Sequence, residues 1–377
     1  MINAELLFSI LALSIWLITA LLPWQPWRVR EVLEADSDYE NFDLHDVTVV
    51  IPARDEAEVI SGTLNALKKQ GKGLNIIVVD DDSSDATASI AENAGLPGLK
   101  VIRSKSLPSG WTGKLWAQEQ GLAEVKTPRV LLLDADIELV PGMLKALKLK
   151  MTTENLQFVS LMAVLRFQSF WEKLLMPAFI YFFKMIYPFA LANNPSSNMA
   201  AAAGGCILVE MQALKKIGGM KAIKDAVIDD CTLAKTIKKQ GYRTWIGLTH
   251  GVLSQRPYVT LNEIWQMVAR TAYTQLHYSL SLLLGCTFIM VLMYWWPVSA
   301  LATQAGQWMV MMNLLSCLLM MILYWPTLNF YGLSIFWVLA MPIVAAFFLM
   351  MTWTSAFRYW RGERARWKGR SYQKLSE

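Results

Sequence analysis

The sequence predicts an α/β domain with a mostly parallel, Rossmann-like sheet, flanked by N-terminal and C-terminal transmembrane helices. Three observations carry this. Between Val47 and Gly247 short β-branched runs alternate with helix-length segments, the pattern of a parallel sheet with crossover helices. From Ser279 to Ala356 there is no Asp, Glu, Lys or Arg. Leu6 to Leu22 holds nothing more polar than Ser or Thr and is long enough to cross a bilayer at a rise of about 1.5 Å per residue.

In chain order, the N-terminal run reads as an anchor over residues 1–23. Glu5 and the lack of a preceding basic residue or a following small-residue cleavage site argue against a signal peptide. Trp24, Trp27, Arg28 and Arg30 follow as an interfacial belt with positive charge, which by the positive-inside rule places the body in the cytoplasm. The body, 24–278, opens with the strand VTVVIPA (Val47 to Ala53) and a helix from about Glu56 to Gln70, ended by Gly71. NIIVVD (Asn75 to Asp80) is the second strand, followed by a helix from about Asp85 with Ser84 as N-cap. A short strand near Lys100 to Arg103, a loop with Gly110 and Gly113, a helix to about Val125 and the strand RVLLLDAD (Arg129 to Asp136) complete the pattern. Residues 167–192, aromatic but broken by Lys173, Pro177, Lys184 and Pro188, read as an interfacial helix pair in preference to a buried core helix, and 260–278 as a further interfacial stretch.

The block 279–357 divides into apolar runs at about 279–302, 308–325 and 332–354, so three crossings are the natural count. The tail, 358–377, disputes it. Arg358, Arg361, Arg364, Arg366, Lys368, Arg370 and Lys374 face only Glu363 and Glu377, so the whole net charge of +5 sits there. Three crossings from a cytoplasmic body put those cations outside; two or four keep them inside. A re-entrant or interfacial first run, or a run folded as a hairpin, would reconcile the two.

Only 17% of the chain is charged against 54% hydrophobic, yet outside the uncharged block the charged share is near the roughly 25% of soluble domains. Collagen-like, disordered and disulfide-scaffold classes are excluded, and a neutral body with a basic tail fits a membrane surface rather than nucleic acid. The four cysteines have neither metal-ligand nor redox spacing, and the three histidines are scattered.

Ligands of such sheets bind beyond the C-terminal strand ends, where the acids cluster here. Strand two ends in Asp80, Asp81, Asp82 and Asp85, whose mutual repulsion asks for compensation. Asp134-Ala135-Asp136 sets two hard carboxylates where a divalent cation could grip a diphosphate, although a solvated strand end can look the same. No G-x-G-x-x-G follows the first strand, and GWTGK (Gly110 to Lys114) lacks P-loop spacing.

VVIPARDE, VVDDDSSD, GWTGK, LLLDAD, GG-C-ILVE (Gly204 to Glu210) and VIDDCTLAKTIKKQGYRT (Val227 to Thr244) occur in the order and spacing of a family-2 inverting glycosyltransferase with a GT-A-like fold. Among that family the chain most resembles the hopene-associated glycosyltransferases of hopanoid gene clusters; carotenoid and ceramide glycosyltransferases share the layout. The resemblance implies that Pro52 and Glu56 shape the nucleotide pocket, Asp81 contacts the nucleobase or ribose, and Lys114 binds the nucleotide sugar. It implies that Asp134 and Asp136 form the metal and diphosphate pair, with Asp136 the direct ligand of Mg2+ or Mn2+. Asp230 takes the place of the general base. The bland alternative for Asp229-Asp230 is a pair of helix N-terminal acids favoured by the dipole. Arg270 stands for the Arg of the family's Gln-x-x-Arg-Trp element, where Met267 and Thr271 replace the Gln and Trp; Glu119 replaces an Asn after GWTGK. Trp111, with Asp229, could line the sugar or acceptor site, or Trp111 could be an interfacial anchor.

The implied partners are a nucleotide-sugar donor (UDP-sugars favoured), a lipid acceptor such as a hopanoid, and the bacterial inner membrane, with no nucleic acid. Other readings are a polyprenyl-phosphate glycosyltransferase, a processive polysaccharide synthase, against which the eroded Gln-x-x-Arg-Trp element speaks, and a non-catalytic scaffold.

Overall fold

Seven consecutive buried residues make β1 (Val47–Ala53) the hub of the sheet. In this computed structural model, which describes residues 4–302, 306–367 and 370–373, β1 pairs in parallel with β2 (Asn75–Asp80) and with β4 (Arg129–Leu133), and β2 with β3 (Leu99–Arg103). Beyond β4 the sheet changes sense. β7 (Cys206–Glu210) runs antiparallel to β4 and to β6 (Phe158–Val164), β6 is parallel to β8 (Thr244–Ser254), and β5 (Ile137–Leu139) closes the far edge antiparallel to β8. The eight-stranded order is β3-β2-β1-β4-β7-β6-β8-β5.

Strand pleat sends alternate residues to opposite faces. Val47, Val49 and Ile51 join a core with Leu64 of α2 (Ile60–Leu67) and Leu147 of α5 (Met143–Thr153). Val50 joins the other, with Leu115 of α4 (Gly113–Ala123), Leu214 of α8 (Met211–Ile217) and Leu233 and Ile237 of α9 (Asp229–Lys239). Helix α4 approaches so closely that a Cβ on Gly121 would lie 2.5 Å from Val50 Cγ1 and 3.0 Å from Val79 Cγ2. Gly121→Val should therefore overpack this face and cost about 1–3 kcal/mol of stability, read as a lowered Tm in detergent; an unchanged Tm would mean α4 can move away freely.

Two helix starts differ from expectation. The helix expected from Glu56 begins at Ile60, because Glu56–Val59 forms a turn. Ser84 does not cap α3 (Thr87–Glu92): its hydroxyl donates to Asp55 instead. The strand RVLLLDAD ends at Leu133, which releases Asp134 and Asp136 into the crevice.

The expected helix pair in 167–192 is present as α6 (Phe170–Ile186) and α7 (Phe189–Asn193). A Ser169/Glu172 capping box starts α6, and Pro177 sits inside it. Rather than lying bare on a surface, α6 is largely buried. Leu174, Leu175 and Tyr181 pack with Trp16 of α1 (Ala4–Leu21), with Ile264 of α10 (Leu261–Ala269) and with the C-terminal helices. Lys184 is buried too and donates to the Arg28 carbonyl at 2.6 Å, with burial drawing its pKa down to about 8. A short α11 (Ala272–Gln275) then leads into the apolar block.

That block holds α12 (Leu280–Met290), a π-helical turn (Val291–Trp295) and α13 (Trp296–Leu301) as one run, then α14 (Gln307–Phe330), then a 3₁₀ stretch (Ile335–Ala340) continued by α15 (Met341–Trp360). With α1, four helices among the described residues are long and apolar enough to cross a membrane. A hairpin of β9 (Glu363–Trp367) and β10 (Arg370–Gln373) follows. Of the basic tail, Lys368 and Lys374 lie outside the described residues.

Candidate active site

The loops leaving β1 and β2 are tied to each other. Asp55, at φ 50, accepts from the Ser84 backbone N–H at 2.8 Å and from its hydroxyl at 3.0 Å, while Asp55 N–H donates to Ser83 Oγ. Glu56 N–H donates to Thr87 Oγ1 at 2.7 Å, and Ala57 N–H to Asp85. The acidic run of strand two thus finds its compensation within the protein: Arg103 pairs with Asp80 at 3.1 Å, Arg54 lies 3.9 Å from both Asp81 and Asp82, and backbone donors serve Asp85. Asp81 is buried beneath this loop, its N–H donating to Ala53 C=O. Pro52 is buried inside β1 opposite Val79, one residue before the strand ends.

Across the crevice, two cations hold the Asp-x-Asp pair apart. Lys114, in the first turn of α4, places Nζ 2.7 Å from Asp134 Oδ1 and 3.8 Å from Asp229 Oδ2. Arg256, just past β8, bonds Asp136 Oδ2 through Nε at 2.8 Å and Glu56 Oε1 through Nη2 at 2.8 Å. Burial opposes the charge on Lys114, yet Asp134 and Asp229 outweigh it and hold the ammonium protonated far above its ordinary range. Burial raises Asp134 in turn, against the pull of Lys114.

Asp229 and Asp230 open α9, so the helix-dipole reading of the pair is met in geometry. The two nevertheless diverge in role. Asp229 turns to Lys114, whereas Asp230 Oδ1 accepts from the Cys231 N–H at 2.7 Å. A Cβ on Gly204 would stand in contact, at 3.4 Å, with both Asp230 and Lys114 Nζ, which places the two on either side of this glycine. Burial first, then the Asp229 charge, push the Asp230 carboxyl up to about 7. That is the range in which a carboxyl can take and release a proton near neutrality.

Glu56, Lys114, Asp134, Asp136, Asp229 and Asp230 therefore converge, with Asp81 in the adjoining loop pair and Pro52 near the end of β1 beneath it. Arg270 does not join them. It is exposed at the end of α10 and, among the described residues, makes no ion pair with the cluster; its charge acts on Tyr258, whose phenol burial raises and Arg256 and Arg270 lower, against Asp136 and Asp134. Trp111 is half-buried, edge-on to Trp116 at 5.1 Å and packed on the core of the body, away from the apolar helices. Glu119, at the position of the missing Asn, accepts from Met220 N–H at 2.8 Å and holds the turn at Gly219.

Sequence reasoning missed Arg256. The available signal was a cation at a strand end before a proline, in Ser254-Gln255-Arg256-Pro257-Tyr258. As for a metal, no preformed group of three His, Cys, Asp or Glu ligands exists among the described residues. The donor chemistry still fits Mg2+ or Mn2+, which bind through one or two carboxylates with substrate phosphates completing the shell; Asp136 and Asp134 are hard oxygen donors at one strand end.

Residues 48–218 match the family described as Glycosyl transferase family 2. Two 4,4'-diaponeurosporenoate glycosyltransferases are 33% identical: one from Staphylococcus haemolyticus over 110 residues, 29% of each chain, and one from Staphylococcus aureus over 97 residues, 26% of this chain and 25% of the relative. The match thus spans less than a third of these relatives. A mannosyltransferase from Pyrobaculum calidifontis, solved with GDP-Man and Mn2+, superposes with a TM-score of 0.56 at 18% identity, covering 95% of this chain and 99% of the other. The fold is GT-A-like.

Proposed function

We propose that this chain, with its glycosyl transferase family 2 domain, is a membrane-bound inverting glycosyltransferase that moves a sugar from a nucleotide-sugar donor to a lipid hydroxyl. The single observation that carries the reading is the convergence of the Asp230 carboxyl, half-buried at the start of α9 and pushed up to about 7, on a Lys114/Asp134/Asp136/Arg256 charge cluster. A diphosphate needs cations, and Lys114 and Arg256 supply them. A hydroxyl acceptor needs a base; a phosphate or carboxylate acceptor is already ionised and does not. This supports a hydroxylated lipid over a polyprenyl phosphate.

In the proposed reaction the acceptor oxygen attacks the anomeric carbon from the face opposite the diphosphate, the C–O bond to the diphosphate breaks, and its electron pair leaves with the nucleoside diphosphate. The hydroxyl proton passes to Asp230, and the anomeric centre inverts. A divalent cation, held through Asp136 with Asp134 beside it, would supply Lewis-acid stabilisation of the leaving group. Glu56 and Asp81 would hold the nucleoside side of the donor. Motif likeness supports a hopanoid acceptor and UDP-sugar donors; the curated relatives are named for a carotenoid acid, another membrane-soluble acceptor.

Purified protein given labelled UDP-sugars, Mg2+ or Mn2+ and either hydroxylated hopanoids, carotenoid acids or polyprenyl phosphate tests this. Transfer to the hydroxylated lipid with inverted stereochemistry is expected. Transfer confined to the phosphate or carboxylate would overturn the acceptor class, and neither transfer nor donor hydrolysis would overturn the activity.

Arg256 must release Asp136 when the cation and donor enter. Arg256→Ala is expected to tighten Mn2+ binding by donor-free protein about fivefold, the equivalent of ~1 kcal/mol for a partly exposed ion pair, and to raise the KM for donor. Titration followed by Mn2+ electron paramagnetic resonance reads the first; unchanged affinity would show that Arg256 does not compete for Asp136.

A further inference from the structure

We infer that residues 335–360 do not cross the bilayer: they form a re-entrant segment that enters and leaves on the side of the sheet body and sets an apolar stripe into the acyl layer. By length and composition this run is as good a crossing as the others. Its two ends decide otherwise.

The segment before it, α14, starts away from the body, where Asn313 donates to Ser9 of α1 at 3.1 Å, and ends on the body. There the Phe330 carbonyl and His250 Nε2 of β8 are 2.8 Å apart, the two rings stack at 4.2 Å, and Tyr331 meets Phe167 at 5.0 Å. The far end of the run is tied to the body as well. Tyr273 N–H donates to Ser355 Oγ at 3.1 Å, and Tyr359 stacks on Tyr278 at 4.1 Å. The stretch carrying those partners stays at the membrane surface, since Asn262, Glu263, Gln266 and Arg270 are exposed along it and a charged residue at the bilayer centre costs ~2.5–3.5 kcal/mol or more.

Direction follows from α12. Trp295 Nε1 donates to the Pro342 carbonyl at 2.9 Å, Trp353 Nε1 to Thr287 Oγ1 at 3.0 Å, and Tyr359 lies on Tyr278. Numbers fall along one helix as they rise along the other, so α15 is antiparallel to α12. Helix α12 departs from the body and α15 returns to it. Because α14 also ended at the body, the chain must descend through 331–341 and turn back; the 3₁₀ stretch and Pro342 mark that bend. A backbone at membrane depth must satisfy its own hydrogen bonds; the 3₁₀ stretch does so, with Ser334 capping its start, and Trp337 packs on Phe170 of α6 at 5.7 Å.

Phe336, Leu339, Ile343, Met350, Phe357 and Trp360 remain exposed at helical spacing, opposite the buried Met341, Val344, Phe348 and Met351. The occupant of this stripe is the acyl layer of the bilayer. Charge agrees. Crossings by α1, 280–301 and 307–330 alone put Arg358, Arg361 and the cations after them on the side of Arg28 and Arg30, which removes the conflict between three C-terminal crossings and a basic tail.

The test uses the full chain in spheroplasts of a bacterial host, with Asn93→Cys, Gly306→Cys or Ser376→Cys labelled by a membrane-impermeant maleimide and the unsubstituted chain as background for its own cysteines. Gly306→Cys should label in intact spheroplasts, and Ser376→Cys only after lysis, together with Asn93→Cys. Labelling of Ser376→Cys in intact spheroplasts alongside Gly306→Cys would overturn the proposal, as would identical behaviour of Gly306→Cys and Asn93→Cys. Fusions after residue 377 give a second readout: a fluorescent protein that lights up supports the re-entrant run, and an active alkaline phosphatase overturns it.

Discussion

Asp230→Asn should lower kcat by about 10²–10⁴-fold, the usual worth of a positioned general base, while donor binding stays close to that of the unsubstituted protein. The amide keeps the shape and the acceptor of the Cys231 N–H bond but cannot take a proton. The pH profile gives the sign independently. Burial and Asp229 raise Asp230 to about 7, so the protonated, inactive form dominates below that value. Activity of the unsubstituted enzyme should therefore climb through pH 7 and fall roughly tenfold per unit on the acid side. A profile flat from pH 5 to 8, or full activity of Asp230→Asn with a lipid hydroxyl, would remove Asp230 as the base.

Lys114→Met should be nearly as costly for a different reason. Its ammonium is the counter-charge to Asp134, at 2.7 Å, and to Asp229, at 3.8 Å. Removing it leaves carboxylates facing one another in a partly closed crevice, where one partner alone is worse than none. In the proposed reaction it also removes a cation from the leaving diphosphate. A drop in kcat/KM of about 10²–10³ is expected from losing one such electrostatic contact, together with weaker retention of nucleoside diphosphate in equilibrium dialysis. Activity within twofold of the unsubstituted protein would show that Lys114 serves only to balance the acids.

These residues differ in how far the sequence revealed them. Asp134 and Asp136 were legible from a local signal, an apolar run ending in acids, whereas Lys114 came only with the motif likeness of GWTGK. Asp230 was legible only through its motif, since the residues by themselves fitted a helix N-terminus equally well, and in the structure they are one. Arg270 is a different case: its motif position implies the diphosphate, and in the structure it stands exposed at the end of α10 without an ion pair among the described residues, its charge reaching Tyr258.

Taken alone, the sequence determined the alternation of buried strands with helices, the acids at the strand ends and the apolar runs, because each rests on residues near one another in the chain and on burial that composition records directly. The tertiary structure decided what distance in sequence conceals. Arg256 reaches Glu56 across 200 positions and Asp136 across 120, a pairing no local pattern encodes. It also decided direction: hydropathy tells that residues 335–360 avoid water, but only the contacts of Phe330 and Tyr359 with the body fix where that run begins and ends, since apolar burial is non-directional and the side-chain contacts that orient a helix are not.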